Sequence, residues 1–179
     1  MKCHSLSIEG LYVIEPVVFA DDRGCFFESY SQALYKKNGI EVSFVQDNIA
    51  VSQEGVIRAL HYQSTPGQAK LVSCLQGKIW DVAVDIRPNS PTFGKWVGLE
   101  LDDQKHQQLF IPVGFAHGYC VLSKTAKVQY KVSSPYNPQT ECSIRWNDPE
   151  LQIKWPIESP VLSIRDQRSP FFQEVVWTK

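Results

Sequence analysis

The sequence predicts an all-β fold, a sandwich or a barrel, and three observations carry that prediction. Short runs rich in β-branched and aromatic residues recur at roughly 8–12 residue intervals, with turn chemistry between them. One segment alone carries helix signals at both ends: Ser31 can cap it, Ala33, Leu34 and Lys36 favour it, and Asn38-Gly39 can end it. The 179 residues show no repeat, low-complexity tract or linker, so the chain reads as a single domain over 1–179. That length buries a core without disulfides or a structural metal.

The elements follow in order. Residues 11–19 read as a strand, with Pro16 marking an edge or bend. Asp21-Asp22-Arg23-Gly24 is a turn, and Phe26-Phe27-Glu28 resumes β character. After the helix at 31–38, residues 42–46 return to strand, and 58–63 form another. Pro66-Gly67 marks a loop. Residues 70–75 and 79–86 form two strands joined at Gln76-Gly77. Further strands are expected at 96–101, 108–111, 117–122 and 128–132. From Pro135 onward, prolines 138, 149, 156, 160 and 170 predict irregular chain with short helical turns.

Alternation along the strands places side chains on faces. Asp81, Ala83 and Asp85 share one face, opposite Trp80, Val82 and Val84. Two carboxylates do not suit an apolar core, so that face is expected to meet solvent or a wet cavity. His117 and Tyr119 also share a face.

Composition narrows the function. Eighteen basic residues balance nineteen acidic ones for a net charge of −1, which leaves no basic field for nucleic acid. No stretch approaches the ~20 apolar residues of a membrane helix, and the N-terminus lacks a signal-peptide run. The five cysteines form no C-x-x-C pair, which fits reduced thiols. A soluble, cytoplasmic protein is expected. Four histidines without an H-x-H leave too few ligands for a metal. Neither G-x-S-x-G nor a glycine-rich phosphate loop occurs.

What remains is acid–base chemistry, centred on Arg58-Ala59-Leu60-His61-Tyr62-Gln63. An imidazole titrates near neutral pH and can take and return a proton. A guanidinium is permanently charged and grips phosphate or carboxylate. The pair suits an anionic substrate that loses a proton; the plainer alternative is a half-buried strand with one satisfied histidine. Their odd spacing sends them to opposite faces of a flat strand. Either a bulge intervenes or only one lines a site. Tyr130, beside Lys131, can act as a proton donor opposite a base, or simply pack.

Several segments together resemble one family. They are Phe19-Ala20-Asp21-Asp22-Arg23-Gly24 with Phe27-Glu28, Phe44-Val45-Gln46-Asp47-Asn48, and 58–63. Next come 81–87 with Ser90-Pro91-Thr92-Phe93-Gly94, and the 112–119 run PVGFAHGY. Last are Tyr130-Lys131, Tyr136-Asn137-Pro138, Trp146-Asn147-Asp148-Pro149, and Leu162-Ser163 with Asp166. In this order the chain resembles the dTDP-4-dehydrorhamnose 3,5-epimerase family over nearly its whole length. The resemblance implies a cupin-like jelly roll, a homodimer, and no metal or other cofactor. It implies inversion of dTDP-4-dehydro-6-deoxy-α-D-glucose, a dTDP-4-keto-6-deoxysugar, at C3 and C5. His61 matches the family's base, Asp166 its orienting carboxylate, Tyr130 the acid, and Lys70 the lysine that holds the enolate. Arg23, Glu28, Gln46, Asn48, Arg58, His117, Glu141 and Arg165 fall on nucleotide-sugar contact positions, and Tyr136 on the ring that stacks on thymine.

Five positions depart from the family's usual pattern. Ile49-Ala50 replaces His-Ser, Cys25 stands where an aromatic is common, Ala59 replaces a glycine, and Arg165 a lysine. None is a proposed acid or base. They bear on double against single epimerisation, so a single 3- or 5-epimerase of a related sugar is the rival reading. A non-catalytic sugar-nucleotide-binding protein on the same scaffold is a third, with little reason to keep His61, Asp166, Lys70 and Tyr130 together.

Overall fold

The computed structural model describes residues 1–177. In chain order its strands begin with β1 (Lys2–Ser5), β2 (Tyr12–Glu15), β3 (Val18–Asp21) and β4 (Gly24–Phe27). Helix α1 (Gln32–Lys37) precedes β5 (Gln46–Gln53), β6 (Ile57–Gln63), β7 (Lys70–Gln76) and β8 (Lys78–Asp85). Then come β9 (Trp96–Asp102), β10 (Gln108–Ile111), β11 (Phe115–Val121), β12 (Thr125–Val132) and β13 (Glu141–Ser143). A short helix α2 (Ile164–Gln167) and a 3-10 turn (Phe172–Glu174) follow.

Two antiparallel sheets face each other. One runs β1-β2-β10-β7-β12-β5 and the other β13-β6-β11-β8-β9, with β3-β4 as a separate hairpin. Few spatial neighbours are neighbours in sequence, which is the crossover pattern of a jelly roll. The expected cupin-like all-β fold is the one formed.

Alternation builds three apolar layers. Val72, Cys74, Leu109, Ile111 and Val128 from the first sheet meet Ile79, Ala83, Leu101, Phe115 and Val121 from the second. The second sheet's outer face, with Leu60, Val82, Val84 and Cys120, is covered by Ile144, Leu151, Phe172 and the tryptophans 146, 155 and 177. The C-terminal third is therefore irregular, as its prolines predict, yet it covers a whole sheet face. Helix α1 covers part of the other outer face through Tyr35, against Ile14, Leu71 and Phe110. At about 25 cal/mol per Å² of apolar surface, these layers supply most of the drive to fold.

Three local expectations change, and two short strands were not foreseen. The strand foreseen at 11–19 is two strands, because Pro16 cannot donate to a ladder and separates β2 from β3. The strand foreseen at 42–46 starts only at Gln46 and runs on to Gln53, where it pairs with β12 over eight residues. Ser31 stands at the helix N-cap position but makes no side-chain capping bond. The short β1 and β13 carry too few residues for a periodic signal.

The shared face of Asp81 and Asp85 also differs from expectation, since both carboxylates are fully buried. Asp85 is met by the Arg87 guanidinium and by the Ser90 and Thr92 hydroxyls, at 2.6–2.8 Å. Burial pushes its pKa up, but these donors outweigh it and hold the carboxyl down at about 2. A loop of donors thus stands beside Asp85 where solvent or a wet cavity was expected. Asp81 is paired with His117 instead.

Candidate active site

Both sheets contribute to one cavity of about 380 Å³. From the first sheet come Gln46, Asn48 and Ala50 on β5, Lys70 on β7 and Tyr130 on β12. From the second come Arg58, His61, Tyr62 and Gln63 on β6, with His117 and Tyr119 on β11. Gln68, Tyr136, Glu141 and Arg165 complete the wall. The period of two explains the β5 contribution: Gln46, Asn48, Ala50 and Ser52 are the less exposed alternation, while Asp47, Ile49, Val51 and Gln53 face out.

A bulge resolves the odd spacing of Arg58 and His61. His117 pairs with His61 and Tyr119 with Arg58, so three steps on β6 match two on β11. Both side chains then point into the cavity. The bulge demands a glycine opposite. A Cβ on Gly118 would meet the Ala59 Cβ at 2.4 Å and the Arg58 carbonyl at 2.9 Å.

His61 Nε2 lies 2.6 Å from Asp166 Oδ1. A carboxylate only accepts, so Nε2 carries the proton toward it and Nδ1 keeps its lone pair. The histidine side chain is 26% exposed and the aspartate 4%, so the imidazole is reachable while its partner is sealed. Helix α2 sets this geometry: Ser163 caps it by accepting from the Asp166 N–H at 3.0 Å, which fixes the backbone of Asp166.

Lys70 is buried, and its ammonium donates to the His61 carbonyl at 3.2 Å. Burial pulls its pKa down to about 8, against the opposing pull of Asp81 and Glu141. Burial likewise lowers the pKa of His117, whose Nε2 lies 2.9 and 3.0 Å from the two Asp81 oxygens. Burial raises the Tyr130 phenol, while Arg58 opposes the rise. Arg58 Nε donates to Ser52 Oγ at 3.0 Å.

Polar side chains tie the mouth together. Glu141 accepts from Arg165 at 2.6 Å and from Tyr136 at 2.8 Å, and Gln46 accepts from the Tyr136 N–H at 3.2 Å. Burial works to raise the Glu141 pKa, but these bonds hold it below the usual carboxylate range. Among the described residues, no three His, Cys, Asp or Glu side chains gather as a metal site requires. No helix among them is long and apolar enough to cross a membrane.

Eleven of the thirteen residues singled out in the sequence meet here, counting Asp166 through His61. Arg23 and Glu28 do not. Arg23 sits at the tip of the β3–β4 hairpin, paired with its neighbour Asp21, and Glu28 is exposed just beyond. Gln63 and Gln68 line the wall without having been selected; Gln63 already lay in the 58–63 segment, and its inward direction depends on the bulge.

Basic, acidic and phenolic groups on facing sheets of a jelly roll define an acid–base enzyme of the cupin-like class. The family model of dTDP-4-dehydrorhamnose 3,5-epimerase matches residues 5–174. The dTDP-4-dehydrorhamnose 3,5-epimerase of Pseudomonas aeruginosa is 48% identical over 176 residues, which is 97% of each chain. The crystal structure of dTDP-6-deoxy-D-glucose-3,5-epimerase from Legionella pneumophila, in complex with dTDP-4-keto-L-rhamnose, is similar at TM-score 0.95 and 46% identity. That match covers 98% of this chain and 94% of the other. A 3'-monoepimerase from Streptomyces bikiniensis, in complex with dTDP-quinovose, is similar at TM-score 0.88 and 37% identity, over 94% and 86% of the two chains. The chain belongs to the dTDP-4-dehydrorhamnose 3,5-epimerase family.

Proposed function

We propose that this chain converts dTDP-4-dehydro-6-deoxy-α-D-glucose to dTDP-4-dehydro-β-L-rhamnose by inverting C3 and then C5, or the reverse order. The observation that carries the reading is the placement of His61 and Tyr130 on opposing sheets of one cavity. Inversion needs a base on one face of the sugar and an acid on the other. The C4 ketone acidifies the hydrogens on both flanking carbons. His61 Nδ1 removes a proton, Asp166 stabilises the imidazolium that results, and negative charge develops on the ketone oxygen. Lys70 and the His117 edge meet that charge in a site of low dielectric, where a fixed cation counts most. Tyr130 then delivers a proton from the opposite side. No redox or metal cofactor enters this sequence. Arg58 takes the diphosphate, and Tyr136, Gln46 and Asn48 hold the thymidine end; Arg165 and Glu141 shape the mouth.

Proton NMR of the purified chain with this substrate tests the reading. Conversion to the β-L-configured ketosugar is expected, and unchanged substrate at high enzyme concentration would overturn it. Ala50 on the cavity wall, where serine is usual in the family, favours keeping single epimerisation as the second reading.

The pH profile should report Lys70. A cation is required beside the enolate, so activity should hold below about pH 8 and fall as pH rises through it. Stability moves the other way. Between about pH 8 and the ordinary lysine value the unfolded chain binds more protons here than the folded one, so this group makes the fold more stable with rising pH. A basic limb in kcat without any fall in melting temperature is the expected pattern. A kcat flat to pH 10 would contradict the role of Lys70.

The assembly proposed is a homodimer in the cytoplasm, where the five unpaired thiols stay reduced. An isolated two-stranded hairpin is marginal in water, and β3–β4 exposes Val17, Val18, Phe19 and Phe26 on or beside it. Ile49 and Val51 on β5 and Leu75 on β7 are further exposed apolar side chains of the first sheet. A second protomer covering these residues would bring Arg23 and Glu28 toward its own cavity. Sedimentation should give about twice the 20.4 kDa chain mass at micromolar concentration; a 20.4 kDa species there would contradict it.

A further inference from the structure

Arg58 is exposed and lines the cavity, yet its side chain makes a single hydrogen bond among the described residues, from Nε to Ser52 Oγ at 3.0 Å. It has no carboxylate partner among them. Arg23, Arg87 and Arg165 each have one, in Asp21, Asp85 and Glu141. Ser52 is 6% exposed and stands on the inward alternation of β5, two residues past Ala50 of the cavity wall. The chemistry above gives it no part.

A guanidinium is planar and rigid, with one N–H on Nε and the others on its two terminal nitrogens. A bond at Nε therefore fixes the plane of the group and leaves both terminal nitrogens free. Together they make the fork that grips a phosphate at two points. Without the anchor, an exposed arginine on its long stem samples many rotamers. The anchored charge stays close to the site, since the Tyr130 and Tyr119 phenols both feel it. The bond runs from β5 in one sheet to β6 in the other, six residues on. The turn between those strands does not depend on it. Backbone N–H groups of Glu54, Gly55 and Val56 already hold that turn by donating to the carbonyls of Lys124, Val121 and Gln53.

We infer that Ser52 is a positioning residue, which holds Arg58 by Nε so that both terminal nitrogens meet the diphosphate. This rests on the assignment of Arg58 to the diphosphate in the reading above. Ser52 itself does not touch the ligand. A side chain ordered before the ligand arrives loses less freedom on binding, so the anchor raises affinity without adding a contact.

Ser52→Ala removes the acceptor and leaves Arg58 in place. The Kd for dTDP, read by calorimetry, should rise about three- to tenfold, the effect of ordering one freed side chain in the complex. KM for the dTDP-4-keto-6-deoxysugar should rise in proportion, and kcat should change less. The melting temperature should stay close to that of the wild type. In an Arg58→Ala background, where there is no guanidinium to hold, Ser52→Ala should leave the Kd for dTDP unchanged. Wild-type affinity for dTDP in Ser52→Ala would overturn the inference. So would an equal loss in both backgrounds, which assigns the hydroxyl to the ligand rather than to Arg58, or a melting temperature several degrees lower, which assigns it to the fold. Full dTDP affinity in Arg58→Ala alone would instead sink the assignment of Arg58 to the diphosphate, and the inference with it.

Discussion

His61→Ala should abolish exchange of both the C3 and the C5 hydrogens with solvent. One imidazole serves both carbons because the ketone between them acidifies each, and among the described residues the other groups of the cavity are otherwise engaged: Glu141 is held at the mouth by Arg165 and Tyr136. Lys70 is nearby but is cationic below about pH 8, and Asp166 is sealed behind the histidine. His117 is engaged by Asp81 through Nε2. Losing a positioned general base costs roughly 10²–10⁴-fold. Turnover should therefore fall by at least that range, while dTDP affinity stays close to wild type. The loss should appear equally in deuterium exchange and in product formation, because without proton removal no enolate forms. Exchange at the wild-type rate in His61→Ala would remove the base assignment.

Tyr130→Phe should separate the two halves of the reaction. The ring and its packing between Val72 and Asn48 in the sheet remain. The proton donor opposite the base is gone. Proton removal by His61 should survive, so deuterium still enters from the histidine's own face. Inverted reprotonation should slow by roughly 10²–10⁴-fold. The expected product is substrate carrying deuterium with its configuration unchanged, or a singly inverted sugar. If exchange and inversion fall together by the same factor, Tyr130 is acting on enolate formation, and its role as the acid is wrong.

The sequence shows these two residues for different physical reasons. His61 stands out because an imidazole in a strand beside an arginine is chemically conspicuous. Tyr130 in isolation is an ordinary strand tyrosine, and only the ordered set of motifs gives it a partner. Strand spacing and turn chemistry are local, so most strands are legible, from 58–63 to 128–132. Local reading fails where tertiary contacts decide. Residues 42–46 have β-type composition, yet the ladder with β12 begins at Gln46. Asp85 looks like a solvent-facing carboxylate until the loop carrying Arg87, Ser90 and Thr92 folds over it. The shared direction of Arg58 and His61 depends on a bulge that needs Gly118 on another strand, sixty residues from Arg58. Arg23 and Glu28 fit the family's contact positions in sequence but lie away from this chain's own cavity, which no periodicity foretells.

The central claim is that one cavity epimerises two carbons, and incubation of the wild type with the 4-ketosugar in heavy water tests it most directly. NMR of the recovered sugar should show deuterium at both C3 and C5, with both centres inverted in the β-L product. The 3'-monoepimerase similarity makes the opposite outcome concrete. Deuterium and inversion confined to one carbon, after prolonged incubation with excess enzyme, would contradict double epimerisation and leave a single epimerase built on the same acid–base pair.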